Sequence, residues 1–139
     1  MHTLSQNVLV SQEVTHRSIT GGAVNGAGVD MQGWDGVMFI FDLDAVTGSG
    51  TLDARVVRDD NSGFNSATNI TNAALTQMTN ANTSGIIDVF RPSERYVRAV
   101  ITQAANTVIA GVTAIRYNRN GKVLPPTQSA AEVVKVVEN

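Results

Sequence analysis

Apolar side chains recur at every second position through several stretches of this 139-residue chain, the period of a strand that buries one face. Between residues 34 and 46, Val37, Phe39, Phe41 and Leu43 fall on one face. Met38 and Ile40 fall on the other, until Asp42 and Asp44 replace them. Apolar residues on both faces predict burial on both sides at the start of this strand, with the acidic end emerging into solvent. After a turn at 47–50, residues 51–58 repeat the pattern as the expected antiparallel partner. Leu52, Ala54 and Val56 then point inward, and Asp53, Arg55 and Asp59 outward. Residues 86–90 form a further strand, ended by Arg91-Pro92 because proline donates no ladder hydrogen bond. Residues 96–103 place Val97, Ala99 and Ile101 on one face and Tyr96, Arg98 and Thr102 on the other. A short Ala-Ala-Asn-Thr turn leads to a last strong strand, 108–117.

The remaining segments are weaker. Residues 4–19 alternate in part (Val8, Val10, then Val14) and read as one or two edge strands or an N-terminal arm over 1–20. Four glycines within 21–28 suggest a flexible connection. Asp59-Asp60-Asn61-Ser62-Gly63 is a turn, since Asp and Asn accept local backbone hydrogen bonds and Gly supplies positive φ. Residues 64–85, rich in Asn, Thr and Ala, read as a long polar loop with at most a helical turn at 73–75, of the kind that covers a sheet edge or touches a partner. Pro125-Pro126 stiffens the exit towards a C-terminal tail. About six or seven short strands without a long helix predict an all-β fold, an antiparallel β-sandwich or jelly roll. A single sheet would leave one apolar face wet, so a second layer is required. The sandwich domain is expected over 1–120 and an extended tail over 121–139.

Composition narrows the function. One domain of this length buries roughly 65–70% of its unfolded surface. Charged residues make up only 16%, and the net charge is −2, which leaves no electrostatic footprint for nucleic acid. With no cysteine there is no disulfide, thiolate metal site or cysteine nucleophile. No basic and apolar leader is visible at the N-terminus, and no apolar run reaches the ~20 residues of a membrane span. The sequons at Asn69 and Asn82 are those expected by chance in so Asn- and Thr-rich a chain.

Candidate chemistry is sparse. Gly26-Ala27-Gly28 lacks the third glycine of a dinucleotide fingerprint and precedes no helix. The turn at 59–63 fails as a calcium loop, with Gly63 in a ligand position and Ile70 where a bidentate Glu belongs. Asp42, Asp44 and Asp53 read better as solvated strand-end carboxylates than as cation ligands. His2 and His16 are the only histidines, no nucleophile elbow is present, and we expect neither an enzyme nor a bound cofactor or metal. Two features point to partners instead. Arg91, Arg95 and Arg98 cluster with Tyr96 around Pro92, either as a solvated corner or as a patch that docks on an acidic protein surface. Val133, Val134, Val136 and Val137 form a β-prone tail that is costly to leave wet. It either folds back on its own sandwich or adds to a neighbour's sheet, the latter being favoured by the direction of Pro125-Pro126.

Three pieces carry a resemblance. Val29-Asp30-Met31-Gln32-Gly33-Trp34-Asp35, Arg91-Pro92-Ser93-Glu94-Arg95-Tyr96-Val97-Arg98 and Ala114-Ile115-Arg116-Tyr117 resemble a pattern shared by small virion proteins of tailed bacteriophages and prophages, of the capsid cement or head decoration type. The resemblance implies a structural protein on the capsid exterior, made in the bacterial host cytoplasm. It would bind the major capsid protein as a homotrimer and tie neighbouring capsid proteins together. It offers no catalytic residues. The alternatives are a tail, fibre or head-completion component, or a carbohydrate-binding β-sandwich using Trp34, Tyr96 and Tyr117. The aromatic content of 5% weighs against the sugar reading.

Overall fold

The computed structural model describes residues 3–118 and 130–138. A single 3-10 turn, Leu4–Gln6, precedes ten strands. These are β1 (Val8–Ile19), β2 (Gly22–Asn25), β3 (Val29–Asp30), β4 (Gly36–Val46), β5 (Thr51–Asp59), β6 (Thr68–Ala74), β7 (Thr83–Phe90), β8 (Tyr96–Ala104), β9 (Val108–Tyr117) and β10 (Glu132–Val137). Sheet A runs β1-β9-β4-β7-β10; sheet B runs β2-β8-β5-β6, with β3 also on β8. The chain is therefore the all-β sandwich that its alternation predicts.

The core lies between the sheets. Val37, Phe39, Phe41 and Leu43 of β4 meet Leu52, Ala54 and Val56 of β5 and Val97, Ala99 and Ile101 of β8, all at most 3% exposed. Each large side chain buried this way contributes roughly 1.5–3 kcal/mol.

The expected partnership of 34–46 with 51–58 is corrected. β4 pairs with β7 and β9 in sheet A, while β5 pairs with β6 and β8 in sheet B. The turn-joined strands 96–103 and 108–117 likewise part, β8 into one sheet and β9 into the other. The physical reason is burial. A hairpin would put both inward faces on the same side, still uncovered; crossing between sheets lets each face cover the other. The two crossing turns lie side by side at one end of the sandwich. There Thr47 N donates to Thr107 O (3.0 Å), and Asn106 Nδ2 donates to Ser49 Oγ (3.2 Å). Gly48 (φ +55°) and Ala105 (φ +63°) make the bends.

Other weak segments are more ordered than expected. The glycine-rich connection contains β2, paired with Gln103–Val100 of β8. The supposed loop 64–85 contains β6, with no helical turn at 73–75. Ala73 is buried and Leu75 N donates to Ala54 O (3.0 Å), so neighbouring strands satisfy this backbone. The valine tail is corrected too. As β10 it pairs in parallel with β7 of its own chain, Val134 and Val136 packing on the core. Pro125 and Pro126 lie outside the described residues, as does His2.

Candidate interaction surfaces

The basic corner is built by β3, the turn before β4 and the β7–β8 connection. Asp30 accepts both Arg95 Nε (2.9 Å) and Nη2 (2.8 Å), together with Gln32 N (3.0 Å). The guanidinium beside it holds the Asp30 carboxyl down at about 2. Each arginine of the corner also lies against an aromatic ring: Arg91 on Phe90 (5.3 Å), Arg95 on Tyr96 (5.1 Å), Arg98 on Phe64 (4.4 Å). Arg91 and Arg95 share an open groove of about 440 Å³ with Trp34 and Asp35. Arg98 does not belong to it. It sits on the outer face of sheet B, so the sequence cluster divides between an end groove and a sheet face.

Part of that outer face is covered by the chain itself. Asp59 points outward from β5, as its alternation predicts, yet is 1% exposed, because Oδ1 accepts Asn61 N (2.9 Å) and Oδ2 accepts Ser66 N (2.8 Å). Those amide donors, Asn61 first, lower its pKa. The tightened loop drops Phe64 onto Val57 and Val100, with Tyr96 beside them. Phe64 escaped the sequence reading because a lone aromatic in a polar loop has no period; its signal was the Asx turn just before it.

The β10 edge is clamped at both ends by carboxylates. Glu132 accepts Thr76 N (2.7 Å) and Thr76 Oγ1 (3.2 Å). Glu138 accepts Arg58 Nη1 (3.1 Å) and Ser93 N (3.2 Å), and its own N–H donates to Phe90 O (3.0 Å). Of the four valines only Val137 stays largely in solvent, at 65% exposure.

The outer face of sheet A is different. In register across the five strands run Val8, Tyr117, Gly36, Phe90 and Val137; next Val10, Ile115, Met38, Asp88 and Lys135; then Gln12, Thr113, Ile40, Ile86 and Val133. None of these apolar side chains belongs to the inner core. The Tyr117 ring lies over Gly36, where any Cβ would collide with it, and its hydroxyl donates to Asp88 Oδ1 (2.6 Å). Burial raises the Asp88 pKa, against the phenol and Lys135, and raises that of Tyr117 as well. The second apolar face of β4 was legible in the sequence, but that no other described element packs over it was not.

Glu13, the one acid of β1, is 6% exposed. Its Oε2 accepts Gly28 N (3.1 Å), and a Cβ at Gly26 would strike the carboxylate, so the glycines make its pocket. Burial raises its pKa, against Gly28 and the more distant Arg116 and Arg98. Among the described residues no three His, Cys, Asp or Glu side chains gather as metal ligands, and no helix is long and apolar enough to cross a membrane.

No family model and no curated protein matches the chain. Solved structures do. The PBSX exported protein XepA is similar over 94% of this chain, with a TM-score of 0.62 and 16% identity. The chain spans only 43% of that protein's length. The SPBc2 prophage-derived protein YomS matches over 84% of this chain and 96% of its own, at TM-score 0.47 and 10% identity. The VP2 subviral particle of infectious bursal disease virus matches over 80% and 32%, at TM-score 0.48 and 12% identity. At such identities the likeness to XepA is one of fold: this chain folds as one β-sandwich of the kind found in that exported protein.

Proposed function

We propose that the chain is a structural component of a tailed-phage particle, a cement protein that binds the outside of the head and bridges major capsid proteins. The observation that carries this reading is that one small sandwich presents contact surfaces on two sides, the end groove of Arg91, Arg95 and Trp34 for a capsid protein and the apolar face of sheet A for a further subunit. A bridging protein needs at least two such surfaces, since many modest contacts repeated by symmetry add to a strong hold. The motifs around Val29, Arg91 and Ala114 that resemble cement proteins, and a fold in common with a PBSX exported protein, support the same reading. In it the groove meets an acidic patch of the capsid protein, the arginines supplying direction and the rings contact area. Nothing in the role calls for catalysis.

Quantitative mass spectrometry of purified particles is the test. A cement protein is found in hundreds of copies per head; a handful of copies, or none, rejects the role and leaves a tail, fibre or completion component as the better description.

A further inference from the structure

The outer face of sheet A is built like half of a sandwich core. At its centre, Met38 and Ile40 of β4 lie between Ile115 on β9 and Ile86 on β7, with Val10 and Val133 towards the two edges. Ile86 is only 7% exposed although it stands outside the inner core, and Met38, Ile40, Ile115 and Val133 around it are half-buried. The edges of the layer remain wet, with Val10 at 58% and Val137 at 65% exposure. Sheet B has nothing comparable, because the apolar pair on its outer face, Val57 and Val100, lies under Phe64.

Charge and area identify the occupant. The charged residues set among the apolar side chains of the face are Asp42, Asp88 and Lys135, with the exposed Asp44 beyond them at the end of β4. Asp42 accepts the Ser84 hydroxyl (2.6 Å), and Asp88 accepts that of Tyr117 and stands opposite Lys135 in register. The two carboxylates set among the apolar side chains are thus satisfied within the face, so its centre asks for no partner of opposite sign. Five strands at about 4.8 Å spacing, over seven residues at about 3.3 Å, make a footprint of roughly 550 Å². Two such faces together cover about 1,100 Å² before side-chain relief is added, which passes the ~1,000 Å² that marks a specific interface. A pleated apolar face also packs best on another pleated face, as the sheets of a sandwich do.

We infer that the occupant is a second copy of this chain, packed face to face through sheet A about a two-fold axis near Met38. In such an isologous contact Met38, Ile40 and Ile115 of each copy are withdrawn from water by the other. The inference stands whether or not the chain belongs to a phage head, because it concerns the free protein.

Sedimentation velocity across a concentration series is the first measurement. A dimer is expected, and M38E and I115E each weaken its dissociation constant at least tenfold, whereas T102E on sheet B leaves it unchanged. A monomer at every concentration overturns the inference. So does a dimer that M38E and I115E spare, which places the contact elsewhere. Should the charged variants fail to fold, M38C offers a milder probe in a chain without another thiol. Its maleimide labelling is expected to slow at least tenfold as concentration rises through the dimer range. Labelling that is uniformly fast leaves the face to solvent; labelling that is uniformly slow in a monomer means that residues 119–129 cover it. Either result refutes the second copy, as does a capsid protein that binds the face while the free chain stays single.

Discussion

The two outer faces of the sandwich come from strands of the same alternating kind, yet among the described residues the apolar patch of one is covered by a loop and that of the other is not. On sheet B the carboxylate of Asp59 gathers Asn61 N and Ser66 N, and the loop so folded lays Phe64 over Val57 and Val100. On sheet A a comparable set of aliphatic side chains is spanned by Tyr117, whose hydroxyl reaches Asp88. The same difference appears in the two aspartates. Two backbone amides welcome the charge of Asp59, while burial under one phenol disfavours that of Asp88.

The comparison can be broken from beneath, where both faces share one core. Phe41→Ala, at a fully buried position, is expected to cost ~3–5 kcal/mol in urea unfolding. A smaller loss would mean that the sheets collapse onto the gap. On the closed face, Phe64→Ala should cost about 2–3 kcal/mol, since a plug near the surface has fewer neighbours to lose. It should also free the loop after Asp59, visible as faster amide exchange at Ser66.

Those two positions differ in how far the sequence announced them. Phe41 sits in a period-two run that fixes its face without any tertiary knowledge. Phe64 does not, because what makes it a plug is Asp59 and a turn seven residues long. The strand β6 was hidden for a related reason: Asn72 takes φ +63° and the pairing with β5 shifts register, so no clean alternation survives. The partner of β10 was hidden because parallel pairing with β7 depends on a crossover, not on the valines themselves. At the corner, the sequence showed three arginines near Tyr96. It did not show that Asp30 claims one of them and Phe64 another.

The closing of the β10 edge lies between the two faces and gives a middle-sized effect. Glu138→Ala removes the acceptor of Arg58 and of Ser93 N, and is expected to cost about 1–2 kcal/mol. A change near zero would show that β10 is held by its ladder alone.

The aspartates then provide opposite pH slopes, measured as unfolding free energy against pH. The folded pKa of Asp59 lies below its ordinary 3.8, so its stabilisation is present above about pH 4 and is lost as pH falls through the folded value. Asp59→Asn should therefore differ from the parent chiefly above that point. The pKa of Asp88 is raised, so its favourable contribution is present at low pH and is lost as pH rises through the folded value. Asp88→Asn should gain on the parent over that rise. Slopes of the same sign for both variants would erase the distinction between the faces.

The smallest effect belongs to the open face itself. Met38→Gln should leave the unfolding free energy of the isolated chain within about 0.5 kcal/mol, because solvent already reaches this side chain. A loss comparable to that of Phe64→Ala would mean that this face, too, is part of the fold.

The strand order carries a consequence for how the molecule is made. β9 lies between β1 and β4, and β8 joins β2 to β5, so each sheet waits for segments translated late. Nearly every ladder closes a long stretch of chain, which slows acquisition of structure relative to proteins of local hairpins. Until residues 132–137 leave the ribosome, β7 presents an unpaired edge to the crowded cytosol. Nascent chains stalled before that point should be markedly more prone to clump than the finished protein.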